Sequence, residues 1–233
     1  MKVVEKETDR RAEAHIYVEG RVKEVAEYGE YVDPVDKAIG CYVPVEEGDK
    51  VKIGGRFSGT TLTIAFDAVV DSVLRKSRSY SAKAVSKQSQ KKIDTELFLY
   101  KTTMGIIDTD LLVTPIIGVA ATQGDGAVTI GTLELRVYIT RQLGVSHTLT
   151  GITKYDNIQG HNIEDEEDEA ATYKKIAPTF RMGFEENCAP LEKAKANGEL
   201  RRTEARRPGS KPWVIFRFHY RSKGILSACN LMA

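Results

Sequence analysis

The feature that most constrains this chain is a strict two-residue alternation of apolar side chains, repeated along the sequence. In Thr61 to Leu74, TLTIAFDAVVDSVL, Leu62, Ile64, Phe66, Ala68 and Val70 fall on one face, and Thr61, Thr63, Ala65 and Asp67 on the other. Successive side chains of a strand point to opposite faces, so this reads as a half-buried strand. Asp71-Ser72 offers a tight reversal after it, which makes the segment a central strand entering a hairpin.

The same period returns further on. Across Gly131 to Arg141, Leu133, Leu135, Val137 and Ile139 point one way, with Thr132, Glu134, Arg136, Tyr138 and Thr140 opposite. Across Trp213 to Arg221, Val214, Phe216, Phe218 and Tyr220 share one face, and Trp213, Ile215, Arg217, His219 and Arg221 the other. Shorter strands are expected at His15 to Val22, at Ile93 to Lys101, at Ile106 to Val113 and through Tyr173 to Phe184. Cys41 to Val45 and Lys50 to Phe57 flank Glu46-Glu47-Gly48-Asp49, a hairpin signal in which Gly48 takes a positive φ. Gly54 and Gly55 predict a bulge or a strand end. Residues 1 to 12 read as a frayed or helical lead-in, and Glu27 to Gly40 as an irregular connection that Tyr28 and Tyr31 pin to the sheet. One short helix is expected, capped by Asn187, carried by Leu191, Ala194 and Ala196, and ended by Gly198.

No internal repeat and no strand–helix alternation occur. The pattern predicts an all-β antiparallel β-sandwich, jelly-roll-like or immunoglobulin-like, with one short helix and long charged loops. A length of 233 residues fits one such domain at 14–226, after a charged lead-in at 1–13 and before a tail at 227–233.

Composition narrows the function classes. Hydrophobic residues make up 41% and charged residues 29%, enough for a substantial core. The formal net charge of +1 announces neither a nucleic acid nor a membrane, so an electrostatic reading has to rest on local segregation of charge. Cys41, Cys188 and Cys229 have neither disulfide-framework nor zinc-site spacing and read as reduced thiols of an intracellular, cytoplasmic or nuclear protein. The N-terminus lacks an apolar signal region, and no stretch is long and apolar enough to span a membrane.

The segments CYVPVEEGDKVKIGGRFSGT, FDAVVDSVLRKS, TIGTLELRVYITRQLG, YKKIAPTFRMGFEENCAPL and KPWVIFRFHYRS, in this order, resemble an uncharacterised domain family widespread in filamentous and mushroom-forming fungi. The resemblance spans roughly Ala14 to Leu226. It implies a fungal, intracellular β-sandwich, and carries with it no activity, cofactor or catalytic residue.

Catalytic and metal-binding patterns are sparse. Ser146 and His147 are neighbours whose side chains diverge in an extended segment, so they do not make a nucleophile and its base. His15, His147, His161 and His219 are widely separated, and no phosphate-binding, nucleophile-elbow or zinc-helix motif occurs. Asp108-Thr109-Asp110 offers two carboxylates to a hard cation, though acids at a strand end more commonly pair with Lys or Arg. Gly124-Asp125-Gly126 reads as a turn rather than a phosphate cradle. No catalytic residue, cofactor or metal ligand is assigned.

Charge segregation is the distinctive signal. Arg75 to Lys92 holds seven basic residues and no acid: Arg75, Lys76, Arg78, Lys83, Lys87, Lys91 and Lys92. A second basic run contributes Arg201, Arg202, Arg206 and Arg207. Glu164, Asp165, Glu166, Glu167, Asp168 and Glu169 are consecutive acids. A basic run on one subunit meeting this acidic run on another predicts a non-enzymatic interaction or self-assembly module, a homo-oligomer held by protein–protein contacts. The alternative is a nucleic-acid or chromatin-associated module in which the basic runs track phosphates and Trp213, Arg217, His219 and Arg221 add a stacking face. A second alternative is an enzyme of unrecognised class, which needs a pocket where His, Asp or Ser converge. Ser77, Ser79 and Ser81, set among Arg75, Lys76 and Arg78, also fit sites for a basophilic kinase.

Overall fold

The computed structural model describes residues 1–5, 8–59, 63–86, 91–116, 130–140, 176–185, 187–204 and 211–232. It is an all-β sandwich. One sheet runs β1 (Lys2–Val4), β2 (Arg11–Val18), β5 (Lys50–Ser58), β11 (Leu111–Pro115) and β13 (Phe180–Phe184), with β8 (Lys91–Thr95) also pairing β5. The other runs β3 (Tyr28–Val32), β4 (Ile39–Val45), β14 (Val214–Ser222), β12 (Thr132–Thr140), β6 (Thr63–Val70) and β7 (Val73–Ser81). A separate hairpin joins β9 (Phe98–Thr102) to β10 (Gly105–Thr109). Among the described strands, pairing is antiparallel except between β14 and β4. Three helices complete the described chain: α1 (Ala82–Ser86), α2 (Lys193–Glu204) and α3 (Lys223–Ala228). None is long and apolar enough to cross a membrane.

The alternation in the sequence becomes the core. Ile64, Phe66, Ala68 and Val70 of β6, Leu133, Leu135 and Val137 of β12, and Val214, Phe216, Phe218 and Tyr220 of β14 all lie in one buried cluster. Ile16, Val51, Ile53 and Val113 enter the same cluster from the other sheet. Burying a side chain of this size contributes about 1.5–3 kcal/mol before conformational entropy is subtracted. Asp71 and Ser72 both have positive φ, 48° and 66°, and close the β6–β7 hairpin where the sequence placed it.

Several expectations are corrected. The described part of residues 1 to 12 is neither frayed nor helical: β1 pairs with β2, and Met1 and Val3 are buried. Gly48 does take a positive φ, 84°, yet β4 and β5 do not pair; the turn carries the chain from one sheet to the other. Cys41, Val43 and Val45 enter the shared core from one sheet, and Val51 and Ile53 enter it from the other. Gly54 and Gly55 sit within β5 in regular register with β2. A Cβ at Gly55 would stand 2.4 Å from the Glu13 carbonyl oxygen, so the missing side chain permits the pairing it was expected to interrupt. The expected Ile93 to Lys101 strand is two strands in different sheets, parted at Glu96-Leu97. Helix α2 starts after Pro190 and runs through Gly198 to Glu204, because buried Ala196 and Glu199 anchor it on both sides of the glycine. The tail is placed as well: Leu226 and Leu231 cover Tyr42 in a small second core.

Candidate interaction surface

The first part of the basic run, Arg75 to Arg78, lies in the edge strand β7 rather than in a projecting loop; Lys83 follows in α1, and Lys91 and Lys92 open β8. Ala68, Phe66 and Ile64 face the core and stand opposite Lys76, Arg78 and Tyr80 of β7, so the two cations share the face that the apolar residues occupy. The β9–β10 hairpin and α2 bring acids to them. Lys76 is buried and donates from Nζ to Asp108 Oδ1 at 2.7 Å, with Glu199 Oε2 4.0 Å away. Arg78 Nη1 donates to Glu199 Oε1 at 3.2 Å, and Arg202 Nη1 donates to the same oxygen at 2.5 Å.

Two basic runs more than a hundred residues apart therefore meet at one buried glutamate. Beyond it the surface stays cationic: Arg201, Lys83 and Lys92 are exposed, and the side chains of Arg202 and Arg78 keep 57% and 37% of their exposure. Lys91 lies 4.4 Å over the ring of Tyr80, which itself packs on Phe66. Lys87, Arg206, Arg207 and the acidic run Glu164 to Glu169 lie outside the described residues.

The β14 set does not join this seam. Trp213 precedes the strand and turns into the core, its ring edge-on to Phe57 at 5.8 Å and its Nε1 donating to the buried Glu5 at 3.2 Å. Arg217 is enclosed by acids, donating to Glu134 at 2.6 Å, Asp33 at 3.1 Å and Asp36 at 2.5 Å, while Arg136 also bonds Glu134. Burial works to lower the Arg217 pKa, but Glu134 and Asp36 outweigh it and hold it above the usual arginine value. His219 Nε2 lies 2.6 Å from the Tyr31 hydroxyl, its ring stacked between Tyr31 and Tyr42. Gly40 makes room for that arrangement, since a Cβ there would stand 2.4 Å from the Tyr31 ring. Arg221 is buried and donates to the carbonyls of Gly131, Tyr220 and Ile176; this desolvation lowers its pKa. Of the four residues of the stacking face, Trp213 and Arg221 are buried, and Arg217 and His219 are half-buried and engaged by neighbours in the fold.

Other sequence candidates resolve into internal pairs. Asp108 is taken by Lys76, and Asp110 stands 3.9 Å from Lys50, which also reaches Glu185 at 2.9 Å. Ser77 is buried and donates to Asp67 at 2.6 Å, whereas Ser79 and Ser81 are exposed. Cys41 is buried in the core, and burial pushes its thiol up. Ser146, His147, His161 and the Gly124–Gly126 turn lie outside the described residues. An open groove of about 640 Å³ is lined, among the described residues, by Arg21, Lys23, Lys223, Glu24 and Glu46 with apolar neighbours.

Sequence reasoning missed Glu199 as the junction of the two basic runs and Glu134 as the partner of Arg217. A single acid among cations carries no sequence signal for which distant arginine it meets. No family model, no curated protein and no solved structure matches this chain, so its functional reading rests on the geometry of these residues.

Proposed function

We propose that the chain is a non-catalytic interaction module whose β7–α2 seam docks an acidic protein segment. The observation that carries this reading is the convergence of Arg78 and Arg202 on Glu199, which turns two separate basic runs into one surface. One buried glutamate balances part of that charge, and Arg201 of α2 and Lys83 of α1 are exposed on elements packed against β7. The matching partner within the sequence is Glu164 to Glu169 of a second copy, which makes the module self-associating. The three free cysteines fit a reducing compartment, the cytoplasm or nucleus.

Contacts between exposed opposite charges weaken as added salt shortens the Debye length, from about 10 Å at 0.1 M to about 3 Å at 1 M. Sedimentation velocity at low and high salt is expected to show an oligomer that dissociates in high salt. Arg201→Glu with Arg202→Glu is expected to yield a monomer at both. A wild-type monomer in both conditions refutes self-association. A gel shift with RNA or DNA at low salt that the same charge reversal abolishes transfers the seam to a nucleic-acid partner.

A further inference from the structure

Strand β7 carries three cations, Arg75, Lys76 and Arg78, and among the described residues two of them pair with acids. Lys76 has Asp108, and Arg78 has Glu199. Among the described residues Arg75 makes no hydrogen bond or ion pair, and its Nε is enclosed with no acceptor. Its backbone is also distinct. Ala68 pairs with Lys76 and Val69 with Leu74, so Arg75 is the extra residue of a β-bulge, with no partner on β6. Bulges re-aim a side chain without ending the strand.

The side chain is aimed onto a prepared platform. Tyr100 of β9 and Phe184 of β13 stack with centroids 4.4 Å apart and planes 9° from parallel. The Arg75 guanidinium lies 4.7 Å from the Phe184 centroid and 5.9 Å from that of Tyr100. The two aromatic faces hold the group in place, yet they supply no hydrogen-bond acceptor for its five donors. Arg75 remains half-buried with Nε enclosed, which leaves its two terminal nitrogens as the donors available to a ligand. Burial lowers its pKa, with Tyr100 and Asp71 opposing the effect.

A planar guanidinium, fixed in orientation, partly stripped of water and with no acid at ion-pair distance among the described residues, is complementary to a two-oxygen acceptor. We propose that Arg75 is an oxyanion-binding residue, which takes a carboxylate or phosphate group on its two terminal nitrogens. This site is independent of the β7–α2 docking reading, because Arg75 takes no part in the Glu199 cluster.

The test is titration of the full chain with inorganic phosphate and, separately, with acetate. The readout is the ¹H–¹⁵N signal of the Arg75 Nε–H, assigned through its contacts to the Tyr100 and Phe184 rings. Sodium chloride at matched ionic strength is the control. A saturable shift with either anion and none with chloride is expected, and the anion that saturates first distinguishes tetrahedral from planar recognition. Arg75→Lys keeps the charge and loses the fork, so binding followed by the backbone amides of β7 and β13 should weaken about tenfold or more. A signal indifferent to both anions, or undiminished binding in Arg75→Lys, overturns the proposal. If the variant fails to fold, the wild-type signal decides by the same criterion.

Discussion

At the scale of single residues, Asp71 does more than turn a hairpin. Its Oδ1 accepts from the backbone N–H of Gly131 at 2.8 Å, from that of Thr132 at 3.2 Å and from the Tyr220 hydroxyl at 2.6 Å. Its Oδ2 accepts from the Met182 N–H at 3.1 Å. One carboxylate thus ties the hairpin to β12, β13 and β14, in a backbone conformation that suits Asp or Asn. Asp71→Ala leaves buried donors unsatisfied, each costing about 1–3 kcal/mol. Asp71→Asn keeps the left-handed backbone and the Oδ1 acceptor, but turns an amide toward Met182 N–H. Tyr220→Phe removes one donor and leaves the carboxylate three others. Chemical denaturation is expected to rank the losses Ala, then Asn, then Tyr220→Phe; an Asp71→Ala variant no weaker than Tyr220→Phe contradicts the hub role.

At the scale of elements, strand pairing is decided by what lies between the chains. Gly55 of β5 lets the Glu13 carbonyl of β2 approach, and that carbonyl is backbone that cannot swing aside. Gly55→Ala is therefore expected to cost about 1–3 kcal/mol, the usual range for overpacking, and to lower the melting temperature. Gly198→Ala meets open space in α2 and is expected to gain as much as about 1 kcal/mol from helix propensity alone. Calorimetry of both variants checks the opposite signs. The same contrast shows what the sequence could reveal. The faces of β6, β12 and β14 were legible because alternation is a local property of a strand. That β4 and β5 belong to opposite sheets was not legible, since Val43 and Val51 look alike whether they are neighbours in one sheet or meet across a core. The basic runs were legible as charge, but their meeting was not, because Arg78 and Glu199 are joined by tertiary packing across 121 positions. Trp213, one residue ahead of β14, shows how a shift of a strand boundary moves a side chain from surface to core.

At the scale of the whole molecule, acid is the condition that should unlock it. Burial would raise the Glu27 carboxyl, but hydrogen bonds from His15 and the Met1 ammonium outweigh it and hold the group below its usual value. Burial likewise opposes the lowering at Asp36, where the Arg217 hydrogen bond prevails. These two acids sit at separate places: Glu27 beside the buried start of β2's sheet, Asp36 over the outer face of β14. A carboxyl with a lower pKa folded than unfolded stabilises the fold above its unfolded pKa. That contribution is lost as pH falls through the folded value. Stability is thus expected to hold through neutral pH and to decline below the ordinary carboxylate range. Glu27→Gln cannot ionise, so it should be weaker than the wild type near neutral pH and should converge on it as acid protonates the native carboxyl. Denaturant midpoints measured across that range give the difference directly. A gap between the two proteins that stays constant with pH would mean that the Glu27 side chain acts through shape and hydrogen bonding alone, and would remove its charge from the account of acid unfolding.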